Sequence, residues 1–311
     1  MNCESNIIYS PFSAGKPIEI LTFYSIYESH QEHDGALINI SERKNQLRKN
    51  LITHRDSLCP EVRAERSARL SEALFRHIEN NIAIYKGHAD SVKRDEATAP
   101  CVAFFCSMGS EPCLDAFAQQ AAKAGWSLAL PCMMRAEDVS RALAEREGDD
   151  SASPPRPAGV EPPRGDPSAR SAAAVRAPRG TTTEHNSMRT AAPLQAVAQP
   201  RTMRFIKLTI EEYRARALPF LSSPARFVAS RHCADLLTRD VAPTQLDAVV
   251  VPLVGFDRCA NRLGYGGGNY DRFLNLLRPD AVVVGAAFRE QECTHLPLEP
   301  HDVPLPAIVA G

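Results

Sequence analysis

Arg262, Asp271 and Arg272 flank four glycines set within the five positions 264–268. A backbone with so little side-chain cover can take positive φ and turn its N–H groups toward an anion. The helix expected to follow would bring its positive dipole end to the same place. Two arginines add cation, and one carboxylate can help hold a metal. The run Arg262-Leu263-Gly264-Tyr265-Gly266-Gly267-Gly268-Asn269-Tyr270-Asp271-Arg272-Phe273-Leu274 therefore suggests a phosphate with a metal ion beside it. Its spacing is neither G-x-G-x-x-G nor G-x-x-x-x-G-K-[ST]. A glycine-rich loop taken alone is more often a flexible turn.

Such a loop needs a strand before it. The apolar, β-branched run Ala248–Val251 suits a strand covered on both faces, with Pro252 and Gly255 ending it. A helix is expected from about Ser41. Leu47, Leu51 and Leu58 share one of its faces, and Lys44, Arg48 and Arg55 share another. That basic stripe is either a solvated face or a phosphate clamp. A second helix should start at Pro60, carry Val62, Leu70, Leu74 and Ile78 inward, and end near Asn80 and Asn81. His77 is expected on its surface or half-buried.

Cys101–Cys106 reads as a buried strand that ends in Ser107-Met108-Gly109-Ser110-Glu111. An acid just past the C-terminal end of a core strand lies where open α/β sheets bind ligands. Glu111 could equally be the N-terminal acid of a helix over 113–123. Further strands are expected at Ser127–Pro131, Met203–Leu208 and Ala281–Phe288. Strands alternating with helices after residue 100 give an α/β fold. We expect a single open, mostly parallel sheet with helices on both faces and an N-terminal helical pair.

The chain has 311 residues and a formal charge of −1, which gives no general attraction to nucleic acid or membrane. No apolar run approaches membrane-spanning length. Nine cysteines show no C-x-x-C pair and no zinc spacing, consistent with reduced thiols in the cytoplasm. Residues 1–40 form an N-terminal extension of unassigned role, with a short strand possible at Ile18–Tyr27; no transit or secretory pattern is visible. Residues 41–311 make one domain, interrupted at about 149–200 by a stretch rich in Pro, Ala, Arg, Ser and Gly. Such a stretch buries too little apolar surface to offset its ordering entropy, so a long disordered insertion is expected.

The glycine stretch, preceded by Val-Pro-Leu-Val-Gly-Phe-Asp at 251–257, resembles the signature of the 5-formyltetrahydrofolate cyclo-ligase (5,10-methenyltetrahydrofolate synthetase) family. Lys44-Asn45-Gln46-Leu47-Arg48 looks like that family's Lys-x-x-Leu-Arg element. Glu111 matches its Ser-Met-x-x-Glu glutamate, and Glu299-Pro-His-Asp302 its terminal His-Asp segment. The resemblance covers residues 43–134 and 203–308. Asn269 replaces a usual second aromatic, and Pro306 stands where an aspartate is common. A Gly-Ile-x-Glu-Pro segment is not recognisable in 210–245, where Phe220–Pro224 is expected to take its place.

The resemblance implies ATP- and Mg²⁺-dependent conversion of 5-formyltetrahydrofolate to 5,10-methenyltetrahydrofolate, by phosphorylation of the formyl oxygen and attack by N10. It implies that Lys44, Arg48 and the stretch Arg262–Tyr270 (Leu263, Gly264, Tyr265, Gly266, Gly267, Gly268 and Asn269 included) bind ATP. Arg262 would be catalytic, Cys106, Glu111 and Tyr270 would meet the folate, and Asp271 with Asp302 would hold Mg²⁺. ATP and folate are the expected partners of a cytoplasmic monomer. Two alternatives stay open: a non-catalytic nucleotide- or folate-binding relative, and an interaction protein acting through the insertion.

Overall fold

A computed structural model describes residues 6–10, 39–86, 99–149 and 201–311. The expected strand at 18–27 and insertion positions 150–200 lie outside them. In chain order the elements are β1 (Asn6–Tyr9), α1 (Ile40–Asp56), α2 (Pro60–Lys86), β2 (Cys101–Ala103), α3 (Asp115–Lys123), β3 (Ser127–Arg135) and α4 (Ala136–Asp149). They continue with β4 (Arg201–Leu208), α5 (Ile210–Arg214), α6 (Cys233–Leu237), β5 (Asp240–Val241), β6 (Ala248–Pro252), β7 (Gly255–Phe256) and β8 (Arg262–Leu263). The last are α7 (Asn269–Leu274), β9 (Val282–Ala287) and β10 (Ala307–Ala310).

Eight strands form one sheet in the order β1-β10-β9-β6-β2-β3-β4-β5. The five from β10 to β3 are parallel to their neighbours, and β1, β4 and β5 add antiparallel edges. The mostly parallel sheet expected from the sequence is present. β6 sits at its centre between β2 and β9, and Ala248, Val249, Val250 and Val251 are fully buried. Its unbroken apolar run is what a strand covered on both faces requires. Beside it, Gly285 of β9 is a packing necessity: a Cβ there would come within 2.8 Å of Leu305 and 2.9 Å of Leu253.

The two faces are covered unequally. Side chains of α2, α3, α4 and α6 pack with Val102, Leu128, Ile206 and Val250 on one face. On the other, Val249, Val251 and Ala103 meet Phe273 of α7 and the connecting loops, with Phe205 and Phe273 rings 4.5 Å apart. The N-terminal pair forms as expected. Asn39 caps α1 by accepting the Ser41 N–H at 3.0 Å, and Pro60 opens α2.

Four local expectations need correction. α2 does not end at Asn80 and Asn81 but runs on to Lys86, because Ile82 continues the buried stripe of Ile78 and Asn81 turns its amide back to the His77 carbonyl at 2.7 Å. His77 is buried beside Tyr9, their rings 6.0 Å apart, and burial lowers its pKa. β2 stops at Ala103: the Phe104 N–H still donates to the Ala129 carbonyl at 3.1 Å, and Phe105 and Cys106 are buried beyond the strand as the chain turns toward a cavity. Finally, the first residues contribute a strand. β1 pairs antiparallel with β10 from Asn6↔Ala310 to Tyr9↔Ala307, and the Ser10 N–H reaches the Pro306 carbonyl at 2.9 Å. None of the described helices is long and apolar enough to cross a membrane.

Candidate active site

Beyond the C-terminal ends of β2 and β6 lies a cavity of about 910 Å³. Lys44 and Arg48 of α1, every position from Arg262 to Asp271, Cys106, Glu111 and Asp302 all line it. Every site residue singled out from the sequence is thus brought to one place.

The glycine loop takes its shape from two left-handed residues, Gly266 at φ +93° and Gly268 at φ +61°. A side chain at either would be strained. Arg48 braces the loop from inside: its Nε donates to the Gly264 carbonyl at 2.7 Å and its Nη1 to Asn45 Oδ1 at 2.6 Å. A Cβ on Gly266 would sit 3.4 Å from the Arg48 guanidinium carbon. Arg272 lies outside the cavity lining and folds back on the Gly267 carbonyl at 3.0 Å and on Asn269 Oδ1 at 2.8 Å. α7 has only six residues, so its dipole is short and the arginines carry most of the positive field.

Arg262 is buried deeper than the loop. Its Nη2 donates to Asp271 Oδ1 at 2.5 Å and its Nη1 to the Val303 carbonyl at 2.6 Å. Burial pulls its pKa below the ordinary arginine value, against the charges of Asp271 and Asp302. Lys44, 6% exposed, lies between Glu299 Oε2 and Asp302 Oδ2, each 2.6 Å from its Nζ. Burial alone would lower the lysine's pKa. The hydrogen bonds to Asp302 and Glu299 outweigh it and hold the pKa above the ordinary value. Asp302 Oδ2 also accepts the Glu299 N–H at 2.7 Å.

The two expected metal acids are therefore paired with different cations, Asp271 with Arg262 and Asp302 with Lys44. Among the described residues no group of three metal-ligating side chains stands together. Hard carboxylate oxygens beside a phosphate-type loop still suit a hard cation that takes its remaining ligands from phosphate and water. His301 is exposed and 3.9 Å from Glu299. Pro306 is exposed and lies outside the cavity lining.

The far end of the cavity is built around Glu111, which is buried. Glu111 accepts the Met108 N–H at 2.8 Å through Oε2 and the Tyr265 hydroxyl through Oε1. Burial raises its pKa, opposed by the Tyr265 and Met108 hydrogen bonds and by Arg55. The Tyr270 hydroxyl is buried with no hydrogen-bond partner among the described residues, and it feels both Glu111 and Arg262. An unpaired buried hydroxyl costs about 1–3 kcal/mol, which a ligand in the cavity would recover. Cys106 Sγ receives Arg216 Nη1 at 2.7 Å, yet burial still raises the thiol's pKa.

Sequence reasoning left several lining or supporting residues without a role. Glu299 stands three positions before Asp302 and shares its lysine. Arg55, one heptad after Arg48 in the basic stripe, is buried and donates to Ser110 Oγ at 2.9 Å and the Tyr265 hydroxyl at 3.1 Å. Its spacing was the available signal. Phe227 walls the cavity from the segment 210–245, where no motif points to it, beside Pro224 of the stretch Phe220–Pro224 that stands in for the family segment.

Residues 195–311 match the model of the 5-formyltetrahydrofolate cyclo-ligase family. Curated relatives carry that name. The one from Escherichia coli strain K12 is 46% identical over 80 residues, covering 25% of this chain and 44% of its own length. The one from Haemophilus influenzae is 45% identical over 78 residues, covering 24% and 42%. The match thus spans less than half the length of these relatives. A solved 5,10-methenyltetrahydrofolate synthetase from Mycoplasma pneumoniae is 16% identical, covers 86% of this chain and 97% of that chain, and gives a TM-score of 0.47. Lys44, Arg48, Cys106 and Glu111 fall outside the matched segment and are joined to it by the cavity. Residues 195–311 are similar to the 5-formyltetrahydrofolate cyclo-ligase family.

Proposed function

We propose that the chain converts 5-formyltetrahydrofolate to 5,10-methenyltetrahydrofolate at the expense of ATP, releasing ADP and phosphate. The observation that carries this reading is convergence: the glycine stretch of the matched segment, the basic face of α1 and Glu111 line one cavity large enough for both substrates.

The reaction asks for positioning and charge neutralisation more than covalent help. The formyl oxygen attacks the γ-phosphorus, the bond to the β–γ bridging oxygen breaks, and ADP leaves. N10 then attacks the activated formyl carbon and loses its proton, while the former formyl oxygen departs in phosphate. Lys44 and Arg48 hold the triphosphate, with backbone N–H groups of Gly264, Gly266, Gly267 and Gly268 and the flanking Leu263, Tyr265 and Asn269. Arg262 neutralises charge on the transferring group, positioned by Val303 and Asp271. Glu111 orients the pterin, and Cys106 and Tyr270 line the folate side. Asp271 and Asp302 would hold Mg²⁺, which when bound neutralises phosphate charge. Both must first give up part of their hold on Arg262 and Lys44, so phosphate and metal would enter together.

One chain supplies both ends of the cavity, so a monomer suffices. Free thiols at all eight described cysteines support a cytoplasmic setting. We treat residues 41–311 as one functional unit whose sheet is completed by β1.

The test is turnover of 5-formyltetrahydrofolate by the purified full chain with ATP and Mg²⁺, followed by the absorbance of the methenyl product. Product that requires both ATP and the metal is expected. Folded protein that binds both substrates and forms no product would replace this reading with that of a non-catalytic relative.

A further inference from the structure

Each oxygen of the Glu111 carboxylate already accepts a hydrogen bond inside the protein. Oε2 holds the Met108 N–H and Oε1 holds the Tyr265 hydroxyl. A ring N–H of the substrate's heterocycle must therefore compete with a tyrosine for Oε1. That tyrosine belongs to the glycine loop, far from Glu111 in sequence. Tyr265 is 45% exposed, and the polar contacts of its side chain are at the tip, to Glu111 and to Arg55 Nη2 at 3.1 Å.

Its surroundings allow it to leave. Gly264 and Gly266 flank it, and the space where a Gly264 side chain would project holds no atom within 4 Å. Arg55 is held independently of the tyrosine: it is buried in α1, its Nε bonds Ser110 Oγ at 2.9 Å, and Ser110 in turn bonds Asp56. The same loop is gripped from the phosphate side by Arg48 through the Gly264 carbonyl at 2.7 Å. Tyr265 thus joins the end of the cavity that would hold the heterocycle to the end that would hold phosphates.

Resting on the reading of Glu111 as the heterocycle's acceptor, we propose that Tyr265 is a specificity-determining residue that occupies the substrate's place on Glu111. On this view its displacement couples folate binding to nucleotide binding. The heterocycle takes Oε1, Tyr265 is released, and the loop settles around the triphosphate held by Arg48 and Lys44. A nucleotide that settles the loop first draws Tyr265 off Glu111 and opens the acceptor. Coupling of this kind is reciprocal by thermodynamic necessity. The exchanged bond has a charged acceptor, so its effect on affinity should be about tenfold.

The experiment measures equilibrium binding of 5-formyltetrahydrofolate to the full chain by calorimetry, without nucleotide and with a non-hydrolysable ATP analogue plus Mg²⁺. In the wild type each ligand should tighten the other about three- to tenfold. Tyr265→Phe keeps the ring and removes the hydroxyl. It should bind folate about tenfold more tightly without nucleotide, and the effect of the analogue should fall toward onefold. Folate affinity equal to or weaker than wild type in Tyr265→Phe overturns the proposal, and so does undiminished coupling. Glu111→Gln separates this from the underlying reading. Weakened folate binding with the analogue still bound upholds Glu111 as the acceptor. Wild-type folate affinity in that variant removes the acceptor and the proposal with it.

Discussion

On the proposed function the cavity has a phosphate end and a heterocycle end, and at the first, opposite charges lie side by side and can trade partners. Lys44 holds two carboxylates, Arg262 holds a third, and Arg48 holds a loop carbonyl. At the heterocycle end, Glu111 is buried with raised pKa, the Tyr270 hydroxyl has no partner, and Arg55 is sealed behind Tyr265. The first end stores its charge in pairs that an incoming triphosphate and cation can each satisfy. The second keeps a desolvated acceptor ready for a specific donor. On that reading one cavity is assembled for two ligands by opposite means, neutralised charge at one end and a desolvated acceptor at the other.

The sharpest test of the paired end is Arg262→Ala. It leaves the part-buried Asp271 carboxylate and the Val303 carbonyl without their donor, and it removes charge from the transfer site. Turnover should fall at least about a hundredfold. Stability should fall by about 2 kcal/mol, read from the urea midpoint, because breaking the pair strands a partly buried charge. Arg262→Lys should recover stability better than turnover, since an ammonium cannot reproduce the planar fork that reaches both partners. Turnover within threefold of wild type in Arg262→Ala would make the pairing purely architectural.

Lys44→Met comes next. Glu299 and Asp302 would face each other without their cation, and the triphosphate would lose a contact. KM for ATP should rise by about tenfold to a hundredfold with a smaller change in kcat, and the Mg²⁺ concentration needed for half-maximal rate should fall because the carboxylates are no longer claimed. A drop in kcat alone would show that Lys44 acts at the transition state and not in binding.

The two ends were not equally legible in the sequence. The paired end was: four glycines, one arginine and one acid within the ten positions 262–271 carry their chemistry in their spacing, and all line the cavity. Burial of β6 followed from its four consecutive apolar residues, all fully inaccessible. The heterocycle end was legible through Glu111, at the end of a core strand, and through Cys106 and Tyr270 by resemblance alone. Arg55 looked like one more solvated base, because the partners that bury it come from positions 110 and 265. Phe227 and Pro224 lie in a stretch of short turns with no periodicity to read. The same limit hid β1, whose partner is about three hundred positions away, and the direction of β4, since alternation says nothing of parallel or antiparallel pairing. α2 outran its two asparagines because packing of Ile78 and Ile82 overrides their weak helix preference.

The smallest expected effect probes the desolvated end through stability and not through catalysis. Glu111's folded pKa is raised above its unfolded value by burial. Between those two values the native state binds more protons than the unfolded state, so stability falls as pH rises through that window. Glu111→Gln removes the titration and keeps a carbonyl that can accept from the Met108 N–H or the Tyr265 hydroxyl. At neutral pH the variant should be more stable than wild type by about 1 kcal/mol, the usual size of the gain when a functional group held at a cost is neutralised. The gain should shrink as pH is lowered into and below the ordinary carboxylate range near about 4, where both wild-type states carry the proton. Urea midpoints of the two proteins at neutral and acid pH give the difference directly. A gain that is absent at neutral pH, or that grows on acidification, would mean that the Tyr265 and Met108 hydrogen bonds already offset the desolvation of Glu111. The heterocycle end would then be satisfied in the same way as the phosphate end, and the contrast between them would disappear.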